Sequence, residues 1–275
     1  MKLALLLVVI VSAFANSQEK PGADQESLVA DRKKQIEEHR KQHQAAVEQA
    51  RQQTLAEPNS AEAHFKLADT LKEGPDTEDT RKEIERSYSR AIQLKPDYAE
   101  AILGLAMLRR FKREERLEAI QKAIALKPDY AEAYGLLGTV HLGPIMAPHV
   151  QNEEEAQRAA RAFEKAVELK PDWGDAYMGL GLSNHHLKNY SEALEAFKKA
   201  VFLNPSNILS RFMLGLGYVR LGNEQAAMEQ YDGLLRCADQ MEIDSLARGE
   251  SPDSNGAKTY ADLLVKEIQK RFLKK

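Results

Sequence analysis

Small and bulky apolar residues recur along this chain in paired, helix-length stretches, and turns containing proline separate the stretches. The clearest punctuation is the phrase Leu-Lys-Pro-Asp. It begins at Leu94, Leu126 and Leu169 and is followed each time by an aromatic residue, Tyr98, Tyr130 or Trp173. Its register continues upstream at Pro58-Asn59 and downstream at Pro205-Ser206. Successive prolines at 58, 96, 128, 171 and 205 lie 38, 32, 43 and 34 residues apart. A period of that size means stacked supersecondary units. The expected array spans 58–239, with two-helix units at about 58–95, 96–127, 128–170, 171–204 and 205–239.

Each first helix is expected to open directly after its proline, because proline cannot continue the preceding helix. An acid or amide stands there, with another acid three residues on: Asn59 and Glu62, Asp97 and Glu100, Asp129 and Glu132, Asp172 and Asp175. That spacing predicts a capping-box-like start. The first side chain would accept from free backbone N–H groups and the second would sit at the positive helix end. Two stretches break the period. Residues 72–80 lengthen the first unit's turn by four residues relative to a 34-residue period, and residues 142–155 lengthen the third unit by nine. Gly143, Pro144 and Pro148 mark the second as a loop, either a tolerated surface insertion or a binding edge. The second unit is two residues short.

The array resembles the tetratricopeptide repeat. That family places a bulky residue at repeat position 4, Leu at 7, Gly or Ala at 8 and Tyr at 11, then Ala at 20, an aromatic at 24, Ala at 27 and Pro at 32. Residues 171–205 carry Tyr177, Leu180, Gly181, Ala193, Phe197, Ala200 and Pro205, with Asn184 where Tyr is usual. The preceding unit has Tyr134, Leu137, Gly138, Ala159, Phe163, Ala166 and Pro171. The second unit has Leu105, Ala106, Ile120, Ala123 and Pro128, with Arg109 at the usual Tyr position. The first has Leu67, Ala68, Tyr88, Ala91 and Pro96, and the last has Leu214, Gly215, Tyr218, Ala227 and Tyr231 without a closing proline. Small residues at 8, 20 and 27 let neighbouring helices approach closely, and the bulky ones fill the remaining space. The resemblance implies an all-α, right-handed superhelical solenoid whose first helices line a concave groove.

The flanks read differently. Residues 1–15 carry one lysine, an apolar run from Leu3 to Val11 and the small-residue pattern Ala13-Phe14-Ala15. The run is too short for the roughly 20 residues that span a bilayer, so a cleavable signal peptide is expected. A mature protein of about 260 residues, periplasmic or secreted, follows. Within 16–57, the stretch from 26 onward is charge-rich and holds no proline or glycine. Glu37 and Lys41 at helical spacing support an exposed helix, a solvated leader to the array or a coiled-coil arm. In 240–275, Gly249–Gly256 reads as a loop. Tyr260, Leu263, Leu264, Ile268 and Phe272 then form an apolar stripe expected to cap the last unit.

Composition narrows the function. The chain has 39 basic and 42 acidic residues, so no global field favours nucleic acid. Cys237 is the one cysteine, which excludes an intramolecular disulfide and a Cys-based metal site. It is either a buried thiol or the site of an intermolecular disulfide. The sequence has no GxSxG, P-loop, HExxH or Cys-x-x-Cys-His motif. Neighbouring helical residues point about 100° apart, so His185 and His186 cannot readily chelate one ion. His141 lies one unit earlier. No enzyme activity, cofactor or metal is expected; a metal carrier using these three histidines ranks last among the readings. The column Glu62, Glu100, Glu132 and Asp175 is ascribed to capping, with attraction of a basic ligand as the other reading.

The resemblance also implies which positions face the groove. Position 5 is Phe65, Leu103, Gly135, Met178 and Phe212; position 9 is Asp69, Met107, Thr139, Leu182 and Leu216; position 12 is Lys72, Arg110, Leu142, His185 and Val219. From these, the expected partner-binding set is Phe65, Met107, Thr139, Met178, Leu182, Phe212 and Leu216. The Lys and Asn set with which one branch of the family grips a C-terminal carboxylate is not present: Lys66 is the single such lysine. The expected function is a non-catalytic, exported scaffold that binds a protein or peptide segment in its groove, an apolar groove being suited to an amphipathic or extended segment. The alternative is a structural protein that self-associates through its N-terminal helix or end repeats.

Overall fold

The computed structural model describes residues 23–108, 112–145, 152–250 and 255–272. The expected signal peptide and Arg110 lie outside them. The described residues form twelve helices and no strand. A leading helix, α1 (Ala23–Ala56), precedes five pairs. These are α2 (Ala61–Lys72) with α3 (Glu78–Leu94), α4 (Ala99–Ala106) with α5 (Arg113–Leu126), α6 (Ala131–Ile145) with α7 (Glu153–Leu169), α8 (Gly174–His186) with α9 (Tyr190–Leu203), and α10 (Ile208–Leu221) with α11 (Glu224–Arg248). A last helix, α12 (Asn255–Phe272), closes the chain. From α2 to α12, each helix packs on the next in sequence. The result is an α solenoid of helix pairs.

The turn between units explains the recurring phrase. In each copy the lysine N–H donates to the carbonyl four residues back, and the aromatic N–H returns to the lysine carbonyl: Tyr98 to Lys95 at 3.1 Å, Tyr130 to Lys127 at 3.2 Å, Trp173 to Lys170 at 3.2 Å. Lys-Pro-Asp-aromatic is thus a β-turn with proline at its second place, where a fixed φ is favourable. The N-caps of the first helices therefore fall one residue later than the sequence predicts, which corrects the capping-box reading. Tyr98 and Trp173 occupy the N-cap without a side-chain cap. The amide or hydroxyl that does cap stands at the turn's fourth place. Ser60 accepts from the Ala63 N–H and Asn207 from the Ser210 N–H.

Close packing rests on the small positions. Ala91, Ala123, Ala166 and Ala227 are wholly buried, as expected where helices meet without a long side chain between them. Phe163 is wedged between two glycines, Gly138 of its own unit and Gly179 of the next. A methyl at either would lie 2.8 or 2.3 Å from the ring.

Three boundaries differ from the sequence reading. Helix α6 runs through Gly143 and Pro144 to Ile145, so the expected loop from 142 is helical at its start. Pro144 lies inside this helix, where it removes one ladder N–H and crowds the carbonyl four residues back. Helix α11 runs past 239 to Arg248, where Gly249 adopts the left-handed conformation that ends it. Helix α1 is neither a free arm nor a fully solvated leader. Val47 and Ala50 are buried in the first unit's core with Leu67, Leu71 and Tyr88, and the helix also touches α11.

Candidate functional site: a recess on the first-helix face

The turns that join the units also build one side of the recess. Lys95 reaches back to Glu62 of the preceding first helix at 3.4 Å, Lys127 to Glu100 at 2.8 Å and Lys170 to Glu132 at 3.0 Å. Each ammonium also lies over the aromatic ring of its own turn, 4.6 Å from Tyr98, 4.6 Å from Tyr130 and 5.6 Å from Trp173. This lysine ladder neutralises three of the four acids that the sequence reading gave to capping. The hydrogen bond from Lys127 holds the Glu100 carboxyl below its ordinary range. At Glu132 burial pushes upward, but the Lys170 bond and its charge outweigh it and the net shift is down. The fourth acid, Asp175, accepts from the Asn207 amide at 3.4 Å.

Inside this polar border the first helices of four units enclose a recess of about 370 Å³. Phe65, Met107, Thr139 and Met178 all line it. Met107 is 45% exposed. Phe65 stacks at a tilt on Tyr98 with ring centroids 5.0 Å apart. The Thr139 hydroxyl is held by the Gly135 carbonyl at 2.9 Å. Trp173 lies over the same glycine, where a methyl would come within 2.2 Å of its ring. Burial pushes the Tyr130 phenol well up, so this wall presents neutral hydroxyl and aromatic surface at neutral pH. Sequence reasoning missed Tyr130 and Trp173 as lining residues. The recurring aromatic after Leu-Lys-Pro-Asp was the signal that pointed to them.

The other three expected groove residues lie elsewhere. Leu182 is 5% exposed and packs in the core with Ala193, Phe197 and Leu214, which corrects its placement on the groove wall. Phe212 stacks on Tyr260 of α12, with centroids 4.8 Å apart. Helix α12 lies over α10 here, and Leu264 reaches within 2.5 Å of where a methyl on Gly215 would stand. The last unit's first-helix face is therefore covered by the chain itself. Leu216 lines a separate cleft between α9 and α10.

The histidines do not converge. His141 is buried, and its Nδ1 lies 2.9 Å from a Glu155 carboxylate oxygen, which also accepts from Arg113. Burial pushes Glu155 up, but the His141 bond and the charges of Arg113, His141 and Arg158 hold its carboxyl below the usual range. His185 packs edge-on against Tyr190 at 5.7 Å, and burial pushes its pKa down. Among the described residues no group of three His, Cys, Asp or Glu side chains is placed to hold a metal ion. Cys237 is half-buried, with its thiol 3.9 Å from the Pro205 and Ser206 carbonyls. No described helix is long and apolar enough to cross a membrane.

Residues 147–208 match the family model for the tetratricopeptide repeat. No curated protein matches the chain. Among solved structures, the chain is similar to one titled for functional characterisation of pilF from Pseudomonas aeruginosa, at 15% identity and TM-score 0.55, over 78% of this chain and 93% of that one. It is similar to TTC0263, a thermophilic TPR protein of Thermus thermophilus, at 18% identity and TM-score 0.52, over 75% and 100%. It is also similar to YrrB, described as a TPR protein with an unusual peptide-binding site, at 18% identity and TM-score 0.50, over 74% and 100%. The fold is that of tetratricopeptide-repeat proteins, a scaffold architecture typical of protein–protein interaction.

Proposed function

We propose that this protein is a non-catalytic, exported repeat scaffold that holds a protein or peptide segment in the recess of its first four units. The observation that carries this reading is the placement of Phe65, Met107, Thr139 and Met178, from four successive units, on one apolar recess bordered by paired charges. Such a surface offers an extended or helical segment several shallow apolar contacts in a row, with a polar rim to set its orientation. The peptide-binding site named for YrrB is consistent with it.

A photoreactive residue at Thr139 tests the occupant directly. Irradiation in the native compartment should give a discrete adduct that is missing when the same residue replaces exposed Lys122 on α5. Replacing both Met107 and Met178 by Asp should weaken that capture by about tenfold or more, with helicity by circular dichroism unchanged. Equal capture by the double variant overturns the recess.

Export is part of the same proposal and rests on the apolar run Leu3–Val11 and the Ala13-Phe14-Ala15 pattern. Mass spectrometry of the native protein should find Asn16 at the N-terminus in the periplasmic or secreted fraction. A cytoplasmic chain that keeps Met1 overturns it.

A further inference from the structure

The cleft between α9 and α10 is separate from the recess, and no part of the scaffold reading uses it. It encloses about 380 Å³, at the lower end of the roughly 300–1,000 Å³ of small-ligand sites. The two helices run antiparallel, so the first turns of α9 face the last turns of α10. Its floor is apolar: Leu194, Phe197, Met213 and Leu216. Gly217 keeps the space open, since a methyl there would come within 2.5 Å of Leu194. Leu221, 67% exposed, stands at the mouth.

Among the described residues, the one unpaired cation of the cleft stands at one end, on its exposed rim. Arg220 lines the cleft, and its guanidinium lies 4.8 Å from the Tyr190 ring centroid. That stacking orients the cation while leaving its N–H edge free. Arg220 forms no ion pair among the described residues. The cleft's other cation, Lys198, is neutralised by Glu195 at 2.7 Å. The first turn of α9 borders the same end and carries the acidic Glu192. Its N-cap, Asn189, makes no side-chain cap, and the Ser191 hydroxyl lines the cleft beside it. An oriented, unpaired guanidinium with a hydroxyl beside it favours a single anionic head group. The apolar floor favours a hydrocarbon body.

We propose that this cleft is a binding site for a free aliphatic monocarboxylate, with its head on Arg220 and its chain along Leu194, Met213 and Leu216. A divalent or bulky head group has no second unpaired cation to meet.

Calorimetric titration of the purified chain with hexanoate, octanoate and decanoate, each below its micellar concentration, tests this. Saturable one-to-one binding that tightens with chain length is expected. Octylamine and octanol should bind at least about tenfold more weakly than octanoate, because each forfeits the charge-assisted bonds. Arg220→Gln should weaken octanoate by about tenfold, and Arg220→Lys should recover part of that loss. Phe202→Ser, at an exposed apolar residue of α9 outside the cleft, should leave the affinity unchanged. Absence of saturable binding overturns the proposal, as does equal affinity for octanol or an Arg220→Gln variant that binds like wild type. Binding of an acetylated peptide ending in leucine without binding of the free acids also overturns it. None of these outcomes depends on the recess, which the Met107 and Met178 variants probe separately.

Discussion

At the scale of single residues, the array depends on where side chains are missing as much as on where they are present. Phe163 is 4% exposed and is held between Gly138 and Gly179. Both contacts are with the rigid ring, which cannot bend aside as the end of a lysine would. Gly179→Ala should therefore cost about 1–3 kcal/mol, read as a lower urea midpoint with an unchanged slope. Phe163→Leu in the same background should return part of that loss, because a smaller, more adaptable side chain makes room for the methyl. A Gly179→Ala variant as stable as wild type would show that the two units can separate at this seam without cost.

At the scale of elements, Arg113 of α5, His141 of α6 and Glu155 of α7 form one polar knot across three helices. The Glu155 carboxyl is depressed in the folded protein, so its ionised form is stabilised by folding. Such a group contributes stability above the unfolded-state pKa and loses it as pH falls through the folded one. Glu155→Gln should lower stability by about 1–3 kcal/mol at pH 7, and the gap should close as the pH is taken below the carboxylate range. A gap that is constant from pH 7 to pH 3 would mean that packing, not charge, accounts for it. This knot was not legible in the sequence. Glu155 stood in a stretch read as a surface loop, and His141 was weighed as a metal ligand, because periodicity marks which residues face inward and not which polar groups meet. The two-helix units were legible because proline turns and buried alanines recur in register. The lysine ladder was half legible. Leu-Lys-Pro-Asp was plain, but pairing Lys127 with Glu100 needs the distance between turns, which only stacking fixes. Register alone was enough to bring Phe65, Met107, Thr139 and Met178 to one recess. It was not enough for Phe212, because the stripe on α12 says that a helix covers something and not which face it covers.

At the scale of the molecule, α1 ties the two ends of the array together. With 34 residues, it is about 51 Å long at 1.5 Å per residue, enough to reach from one end unit to the other. Its second half supplies Val47 and Ala50 to the first unit's core, and the His43 ring reaches the Thr70 carbonyl at 2.9 Å. Its first half meets α11, where Arg32 grips Asp244 through two bonds at 2.8 and 3.4 Å. A solenoid is soft because its end units contact only their neighbours; a strut between the ends removes the freedom to splay. The Arg32–Asp244 pair is part-exposed, at 42% and 25%, so by itself it is worth no more than about 1 kcal/mol. Its role is to fix where the strut lands. Asp244→Arg should therefore barely change the midpoint of global unfolding. It should instead speed amide hydrogen exchange across residues 26–42, while residues 47–56 keep the protection that burial in the first unit gives them. Arg32→Asp added to Asp244→Arg restores the pair with its charges exchanged and should slow exchange again. Uniformly rapid exchange along α1 in the wild-type chain would mean that the strut does not hold in solution.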